Sequence, residues 1–379
     1  MRSLAEPSGY ASPWVPPSRP ALAYATASGV QVLGRGSSGG VTVGSPPSYG
    51  PAWSLDGRYL AWAEQGARRD VANAPDDDPV VVLDTTTGAR VRVPEVGAGL
   101  NGQVFAVPGG FVLPVSGVNN LGHHADDLLV VDLAGGLDGL AVRRVHTRLG
   151  ATCSVDIDTR PDSGPDGGCD TVWTQAVGDR LVAVLTEASG TYYRYCPHVY
   201  SVGLDGSVRR LFGPGKDDAH NDGEPRLAYS TDGSRSAVFD SVRNGIDVYS
   251  QVVVGGATGA PSVRPSGLPA ILADTTEYGG LSWTRNGDLL VALRHGKTRS
   301  TPAGTRLPAD SVYRCAHGNG CVPLGVVASE VVEAADGSLA LVRDGPDRTT
   351  GDRRSIVVVR RPGAPEVVVS GAGPVWGPA

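Results

Sequence analysis

Short apolar runs separated by Gly, Asp and Pro turns make up most of this chain. Val80 to Leu83, Leu128 to Val131 and Leu289 to Leu293 are examples. Runs of about five apolar residues bounded by turn residues indicate β-strands. Because no long stretch with helical periodicity interrupts them, the pattern predicts an all-β protein.

A short strand carrying an aromatic residue returns along the chain. The clearest copies, Pro51 to Trp62 and Leu281 to Ala292, each contain Trp, an Asp-Gly or Asn-Gly turn and an apolar strand. The aligned positions are Trp53, Phe105, Trp173, Tyr229, Trp283, Glu333 and Trp376. Their spacing of 43 to 68 residues suits one four-stranded propeller blade per copy.

The two ends of the chain complete the blade count. The four strands of a blade are labelled A to D in the order in which the chain forms them. Strands B, C and D of a blade are recognisable near the N-terminus, at Ala21 to Ala25, Val30 to Leu33 and Val41 to Val43. A lone strand A is recognisable near the C-terminus, at Gly373 to Gly377. Joined, they form one further blade and pair otherwise exposed sheet edges. We therefore predict a seven-bladed β-propeller over residues 21–379 as a single domain, preceded by a flexible segment, residues 1–20.

Three segments carry a family resemblance: Pro51 to Trp62, Pro225 to Phe239 and Leu281 to Leu293. They resemble the PD40 (WD40-like) repeats of the TolB-type propeller family, whose pattern is Pro-x-Trp-Ser-Pro-Asp-Gly followed by an apolar strand. The other copies match less well. The resemblance covers most of the chain and implies a propeller with a binding or scaffolding role, since the motif specifies a blade and no reaction.

The repeat residues themselves are expected to be structural. A tight hairpin needs positive φ, which Gly supplies, while the preceding Asp or Asn accepts hydrogen bonds from turn amides. The repeated Trp residues are expected to fill the space between adjacent blades. Glu333 replaces an aromatic residue, so it is either a partly exposed strand end or a buried group that needs an Arg partner or a raised pKa.

Composition argues against two classes of partner. The 379-residue chain has a net charge of only −6, so no basic field attracts nucleic acid. No run of about 18 apolar residues is present to span a membrane. We expect a monomer without a transmembrane segment.

The five cysteines bear on localisation. Cys315 and Cys321 flank a short turn, and Cys153 and Cys169 bracket a loop rich in Asp, Gly and Pro, so both pairs are predicted disulfides and Cys196 is the odd thiol. Disulfides predict a secreted or cell-envelope protein whose signal peptide is absent from this sequence. Buried thiols in a cytoplasmic protein are the alternative.

The connections between strands divide by length. The A–B and C–D turns at one end of a propeller are short here, as in Leu55 to Gly57 and Leu204 to Gly206. The B–C and D–A connections at the other end are predicted to be long. They are 65–79, 116–127, 149–170, 187–197, 213–224, 267–279, 294–310 and 343–353. Because long connections commonly carry binding and catalysis, this long-connection end is the candidate functional face.

Histidines and carboxylates on this face could bind a divalent metal, or they could be solvated loop residues. Imidazole with carboxylate favours zinc, manganese or iron, and clustered oxygens favour calcium. The candidate metal ligands are His123, His124, Asp126, Asp217, Asp218, His220 and Asp222.

Aromatic and cationic residues on the same face could bind a ligand or partner, because aromatic rings and guanidinium groups stack on planar ligands and anchor interfaces. Loop packing on a neighbouring blade is the alternative. The candidate ligand-binding residues are Tyr192, Tyr193, Arg194, Tyr195, Arg243, Tyr278 and His295.

Two functions are consistent with this pattern. The first is an exported propeller that binds a small molecule or a protein on the long-connection end without catalysis. The alternative is a propeller enzyme, a lyase, isomerase or hydrolase that a metal could assist, with candidate catalytic residues His123, His220, Glu277 and Arg294. No Gly-x-Ser-x-Gly motif supports a hydrolase triad.

Overall fold

Short strands and tight turns build the observed architecture. In the computed structural model, the described residues form 29 β-strands in seven antiparallel sheets. The structure describes residues 14–47, 50–64, 79–93, 103–119, 122–147, 149, 168–188, 198–212, 227–244, 247–259, 261–269, 271–272, 276–277, 280–295, 311–344 and 355–378. The sheets are the seven blades of a β-propeller, so the predicted fold class is confirmed.

Each blade runs from an innermost strand A to an outermost strand D. Blade 1 contains β29 (Ala372–Trp376), β1 (Leu22–Thr26), β2 (Gly29–Leu33) and β3 (Val41–Gly44). Blade 2 contains β4 (Ala52–Trp53), β5 (Tyr59–Ala63), β6 (Val80–Asp84) and β7 (Arg90–Arg92). Blade 3 contains β8 (Phe105–Val107), β9 (Gly110–Asn119), β10 (Gly122–Asp132) and β11 (Ala141–His146).

The remaining four blades follow in chain order. Blade 4 contains β12 (Gly168–Val177), β13 (Arg180–Ala188), β14 (His198–Gly203) and β15 (Val208–Phe212). Blade 5 contains β16 (Leu227–Tyr229), β17 (Arg235–Asn244), β18 (Asp247–Gly256) and β19 (Ile271–Leu272). Blade 6 contains β20 (Thr276–Glu277), β21 (Leu281–Trp283), β22 (Leu289–His295), β23 (Ser311–Ala316) and β24 (Gly320–Pro323). Blade 7 contains β25 (Glu330–Glu333), β26 (Leu339–Asp344), β27 (Ser355–Arg360) and β28 (Val367–Ser370).

The chain ends close the ring as predicted. Strand β29 pairs with β1, with Trp376 opposite Leu22 and Val375 opposite Ala23. Each innermost strand contacts the innermost strand of the next blade, and β29 contacts β4 to complete the circle. Blade 1 therefore joins the two ends of the chain through backbone hydrogen bonds.

Apolar runs arise because both faces of a blade are buried. In β10, Leu128 and Val130 pack against Trp173 of blade 4 and its neighbours. Leu129 and Val131 point the other way and pack with a cluster that includes Ala61 of blade 2. Side chains alternate between the two faces of a strand, so a strand enclosed on both sides is apolar at successive positions.

The Asp-Gly turns have the predicted conformation. Gly57 and Gly233 have φ of 71° and 69°. The carboxylates of Asp56 and Asp232 accept hydrogen bonds from the backbone N–H two residues later, each at 3.0 Å. The turn carboxylates therefore stabilise hairpins locally.

Several predicted long connections contain strand. Strands β9 and β10 pair up to Asn119 and Gly122 and so take up most of the predicted connection 116–127. Strands β19 and β20 lie within the predicted connection 267–279. The prediction of long connections was wrong at these two places. In blade 5, where no long B–C connection was predicted, β17 and β18 pair up to Asn244 and Asp247. These segments lack the apolar pattern of the blade cores, so their composition resembled that of loops.

Tryptophans of the innermost strands join neighbouring blades. The indole N–H groups of Trp53, Trp283 and Trp376 donate to the carbonyl oxygens of Val375, Ala228 and Val332 on the preceding blade, at 3.2, 3.1 and 3.2 Å. The prediction that these residues fill the seams between blades is confirmed, and each indole also adds a directional bond.

Glu333 takes the same strand position in blade 7. Its side chain is 10% exposed, and its Oε1 lies 2.7 Å from Nη2 of Arg314 in blade 6. Arg314 also lies 3.5 Å from Asp288. Of the two predicted alternatives, the structure shows the buried carboxylate with an Arg partner from the neighbouring blade.

Candidate functional site

Blades 3, 4 and 5 have the longest strands of the described chain. Strands β9, β10, β12, β17 and β18 have 10, 11, 10, 10 and 10 residues, whereas β5 and β6 of blade 2 have 5 each. The added residues lie at the long-connection ends of these strands. Three consecutive blades thus carry β-structure further toward this end than blade 2 does.

The innermost strand of blade 6 is divided into two parts. Both β20 and β21 pair with β22, which is why this sheet has five strands. In β20, Glu277 is directly opposite Arg294, and Thr276 is directly opposite His295. The backbone register therefore sets one pair of predicted site residues, Glu277 and Arg294, opposite each other at the start of an innermost strand. His295, the next residue of β22, is opposite Thr276 and not opposite Glu277.

Other predicted site residues lie on strands but are not brought together by the register. His123, His124 and Asp126 lie on β10, and Arg243 lies on β17 opposite Val248. Cys169 lies on β12 opposite Glu187. These residues belong to three different blades.

A further group of predicted residues lies outside the described residues. This group is Tyr192, Tyr193, Arg194, Tyr195, Tyr278, Asp217, Asp218, His220, Asp222, Cys153 and Cys196. Their assignments, including the Cys153–Cys169 disulfide, stay predictions.

One histidine–carboxylate pair was missed by the sequence analysis. His146 Nδ1 lies 2.7 Å from Asp127 Oδ1, and Arg144 Nε lies 3.4 Å from Asp127 Oδ2. The Asp127 side chain is 17% exposed and that of His146 is 82% exposed. The pair is built by the pairing of β10 with β11, which sets Asp127 opposite His146. Asp127 directly precedes the predicted strand Leu128 to Val131, so extending the pairing of that strand by one residue would have found the pair.

The Cys315–Cys321 disulfide is present, as predicted. The two residues are directly opposite each other on β23 and β24, and their Cα atoms are 3.9 Å apart. Cys315 and Cys321 are both buried, in a cluster with Phe239 and Val254 of blade 5. The disulfide therefore packs where blades 5 and 6 meet.

Neither a complete metal centre nor a membrane-spanning helix is found among the described residues. No group of three or more His, Cys, Asp or Glu side chains is arranged there to hold a metal ion. None of the helical structure in the described ranges has the length and apolar character needed to cross a bilayer.

Comparison with known proteins gives matches only among solved structures. No family model and no curated protein matches the chain. The Pseudomonas aeruginosa periplasmic gluconolactonase is 14% identical over 93% of this chain and 99% of that chain, with a TM-score of 0.44. The Pyrococcus horikoshii acylaminoacyl peptidase is 12% identical over 96% of this chain and 53% of that chain, with a TM-score of 0.48.

Prolyl oligopeptidase B from Galerina marginata is 9% identical over 86% of this chain, with a TM-score of 0.40. The match covers 42% of the Galerina oligopeptidase and 53% of the Pyrococcus peptidase, so this chain spans about half the length of each. At these identities and TM-scores, the similarity to the three proteins gives no information about the activity of this chain.

Proposed function

We propose that this chain is an exported propeller of the TolB type that binds a ligand or a protein partner at its long-connection end. The observation that carries the proposal is the register of blade 6, which opposes Glu277 to Arg294 and Thr276 to His295. Strand β20 is innermost and β22 is paired with it, so we assign the site to the mouth of the central channel, where the blades converge. Concave sites with a few convergent polar groups are the usual form of a ligand site.

The chemistry of these residues suits a polar or anionic ligand. A guanidinium binds carboxylate or phosphate groups in a bidentate manner, and an imidazole can donate or accept a hydrogen bond. We assign Arg243, Tyr278 and the Tyr192 to Tyr195 segment to the same face, where aromatic rings would stack on the ligand.

A propeller enzyme at the same place is the second candidate. The opposition of Glu277 and Arg294 favours it, because a carboxylate beside a cation can serve as a general base while the cation stabilises developing negative charge. In this alternative His123 and His220 would complete the site. Turnover of a bound ligand would separate the enzyme from the binding protein.

Export is supported by the Cys315–Cys321 disulfide, because structural disulfides persist mainly in oxidising compartments. Mass spectrometry of the purified chain without reductant should find this bond and the predicted Cys153–Cys169 bond. Free thiols at all four positions in protein isolated under alkylating conditions would contradict export.

The binding proposal is tested with a chemical panel of carboxylates, phosphates, neutral sugars and short peptides, using thermal shift followed by calorimetry. We expect the Arg294→Gln and Glu277→Gln variants to lose most of the affinity for any compound bound by the wild type. Arg285→Gln is the matched control, because Arg285 is exposed in the β21–β22 turn at the opposite end of the same blade. Compounds whose affinity is unchanged in both site variants, or a panel without any binder, would contradict the proposal.

A further inference from the structure

Each blade ends in an outer strand D, whose outward backbone edge could pair with a strand of another chain. Proteins protect such edges with charged side chains, very short strands or a covering segment. In blades 2, 3 and 4 the outer strands carry two arginines each: Arg90 and Arg92 in β7, Arg143 and Arg144 in β11, and Arg209 and Arg210 in β15. Antiparallel pairing of any of these strands with its own copy, centred on the strand, would set arginine opposite arginine. Like charges in directly opposed positions disfavour such pairing.

Three further outer strands are protected in other ways. In β24 of blade 6, the N–H of Cys321 donates to the carbonyl oxygen of Ser266 at 2.8 Å, so a segment that precedes β19 covers this edge. Strand β19 of blade 5 has only two residues. In β3 of blade 1, Val43 and Gly44 are buried, so half of that strand is covered by its surroundings.

Strand β28 of blade 7 has none of these protections. Its residues, Val367–Ser370, include no charge and no proline, and none of the four is fully buried. Within the described chain they pair only with β27, which leaves the outer backbone edge open. Val367 and Val369 pack toward blade 1 in a cluster with Leu22, whereas Val368 lies on the opposite face and is 61% exposed. An uncharged edge strand with exposed apolar side chains is a site for pairing with another β-strand.

We propose that β28 pairs with β28 of a second copy of this chain, antiparallel about a two-fold axis at Val368. In this register the two Val368 side chains are directly opposed, Val367 is opposite the partner's Val369, and Glu366 is opposite the partner's Ser370. No like charges meet, in contrast to β7, β11 and β15, and opposed β-branched side chains stabilise a strand pair. The strand is thus complementary to its own copy, as a two-fold contact requires.

The association is expected to be weak because the contact is small. Strand β28 has four residues, and stable protein interfaces bury about 1,200–2,000 Å² in total. Since even interfaces of that size can be only micromolar, we expect a dissociation constant of about 10 μM or weaker. The chain is then a monomer in dilute solution, as the sequence predicts, and a dimer when concentrated. This contact lies at the outer rim of blade 7 and does not rest on the proposed ligand site.

Sedimentation velocity of the full chain, over a micromolar to millimolar concentration series, tests the pairing. We expect dimers to form and no larger species, because a two-fold contact uses the same strand of both copies. Val368→Lys sets two ammonium groups opposite each other and should weaken dimerisation by at least about tenfold. Val322→Lys is the matched control, because Val322 is 60% exposed but lies on the covered strand β24. It should leave dimerisation unchanged.

A mixture of Val368→Lys and Val368→Glu chains separates strand pairing from non-specific apolar association. Each variant alone should associate weakly, whereas the mixture should form heterodimers, because lysine is then opposite glutamate. Thermal unfolding verifies that each variant is folded. The proposal is overturned if the wild type stays monomeric throughout the series, even if it captures a different protein. It is also overturned if Val368→Lys dimerises like the wild type, if Val322→Lys shows the same loss, or if the mixture stays monomeric.

Discussion

The two ends of the propeller differ in how their residues are used. At the short-turn end, polar side chains bond to nearby backbone: Asp56 and Asp232 cap their own turns, and Arg19 donates to the carbonyl oxygens of Asp56 and Gly57. Trp14 also lies at this end and donates to the carbonyl oxygen of Thr85. Trp14 and Arg19 thus attach the N-terminal part of the chain to the turns of blade 2.

Toward the long-connection end, the polar residues that concern the candidate site come from paired strands. Glu277 and Arg294 are set by β20 and β22, and Asp127 and His146 by β10 and β11. The short turns therefore serve the scaffold, while strand register positions the candidate site residues. Substitutions at the short-turn end should therefore lower the stability of the protein, whereas substitutions at the long-connection end should lower ligand binding.

The largest effect is expected where a short turn of blade 4 touches the preceding blade. A Cβ on Gly206 would lie 2.3 Å from the carbonyl oxygen of His146 in blade 3. Gly206 and Gly109 have φ of 83° and 81°, but a Cβ on Gly109 would meet no atom within 4 Å. Gly109→Ala should cost about 1–2 kcal/mol for the left-handed conformation, and Gly206→Ala about 1–3 kcal/mol more for the clash. Denaturant unfolding measures both, and equal losses would contradict the close approach.

A smaller loss is expected at the seams between blades. Trp53→Phe removes the bond to the Val375 carbonyl, whereas the buried Nε1 of Trp173 has no hydrogen-bond partner among the described residues. Both changes remove similar volume, so Trp53→Phe should destabilise by about 1 kcal/mol more than Trp173→Phe. Urea unfolding of the two variants isolates the contribution of the bond, and a larger loss for Trp173→Phe would argue against it.

The turn carboxylate of Asp232 should give a pH-dependent contribution. Hydrogen bonds from Ser230, and then from Ser234, lower the pKa of Asp232 to about 2. Because the folded pKa lies below the unfolded value of about 3.9, the stabilisation is present above pH 4 and is lost as pH falls toward 2. The stability difference between the wild type and Asp232→Asn should therefore shrink across this window. A constant difference from pH 5 to pH 2 would contradict this origin.

The smallest effect on stability is expected at the long-connection end. Because the binding proposal assigns Arg294 to a ligand and not to the scaffold, Arg294→Gln should change the free energy of unfolding by no more than about 0.5 kcal/mol. Urea unfolding measures this change, and the binding experiment on the same variant supplies the contrast. A loss well above 1 kcal/mol would show that Glu277 and Arg294 form a structural pair.

Much of the fold was predictable because its signals are local. The Asp-Gly turns, the aromatic strands and the two incomplete ends identified the blades and their closure, and Cys315 and Cys321 were close enough in sequence for their pairing to be predicted. The lengths of β9, β10, β17 and β18 were not predictable, because their ends lack the apolar alternation that marks a buried strand. His146 was missed because no local motif marks a bond across a hairpin.

The amino-acid sequence was sufficient to predict the number and order of the blades. The spacing of the repeats, the Asp-Gly turns and the apolar strands can all be recognised in short segments of the chain. Tertiary structure decided which chemical groups meet. Arg314 reaches Glu333 across the contact between blades 6 and 7, and the pairing of β10 with β11 sets Asp127 beside His146. Such pairings depend on register and on packing between blades, and a one-residue shift in register moves a side chain to the other face of a sheet.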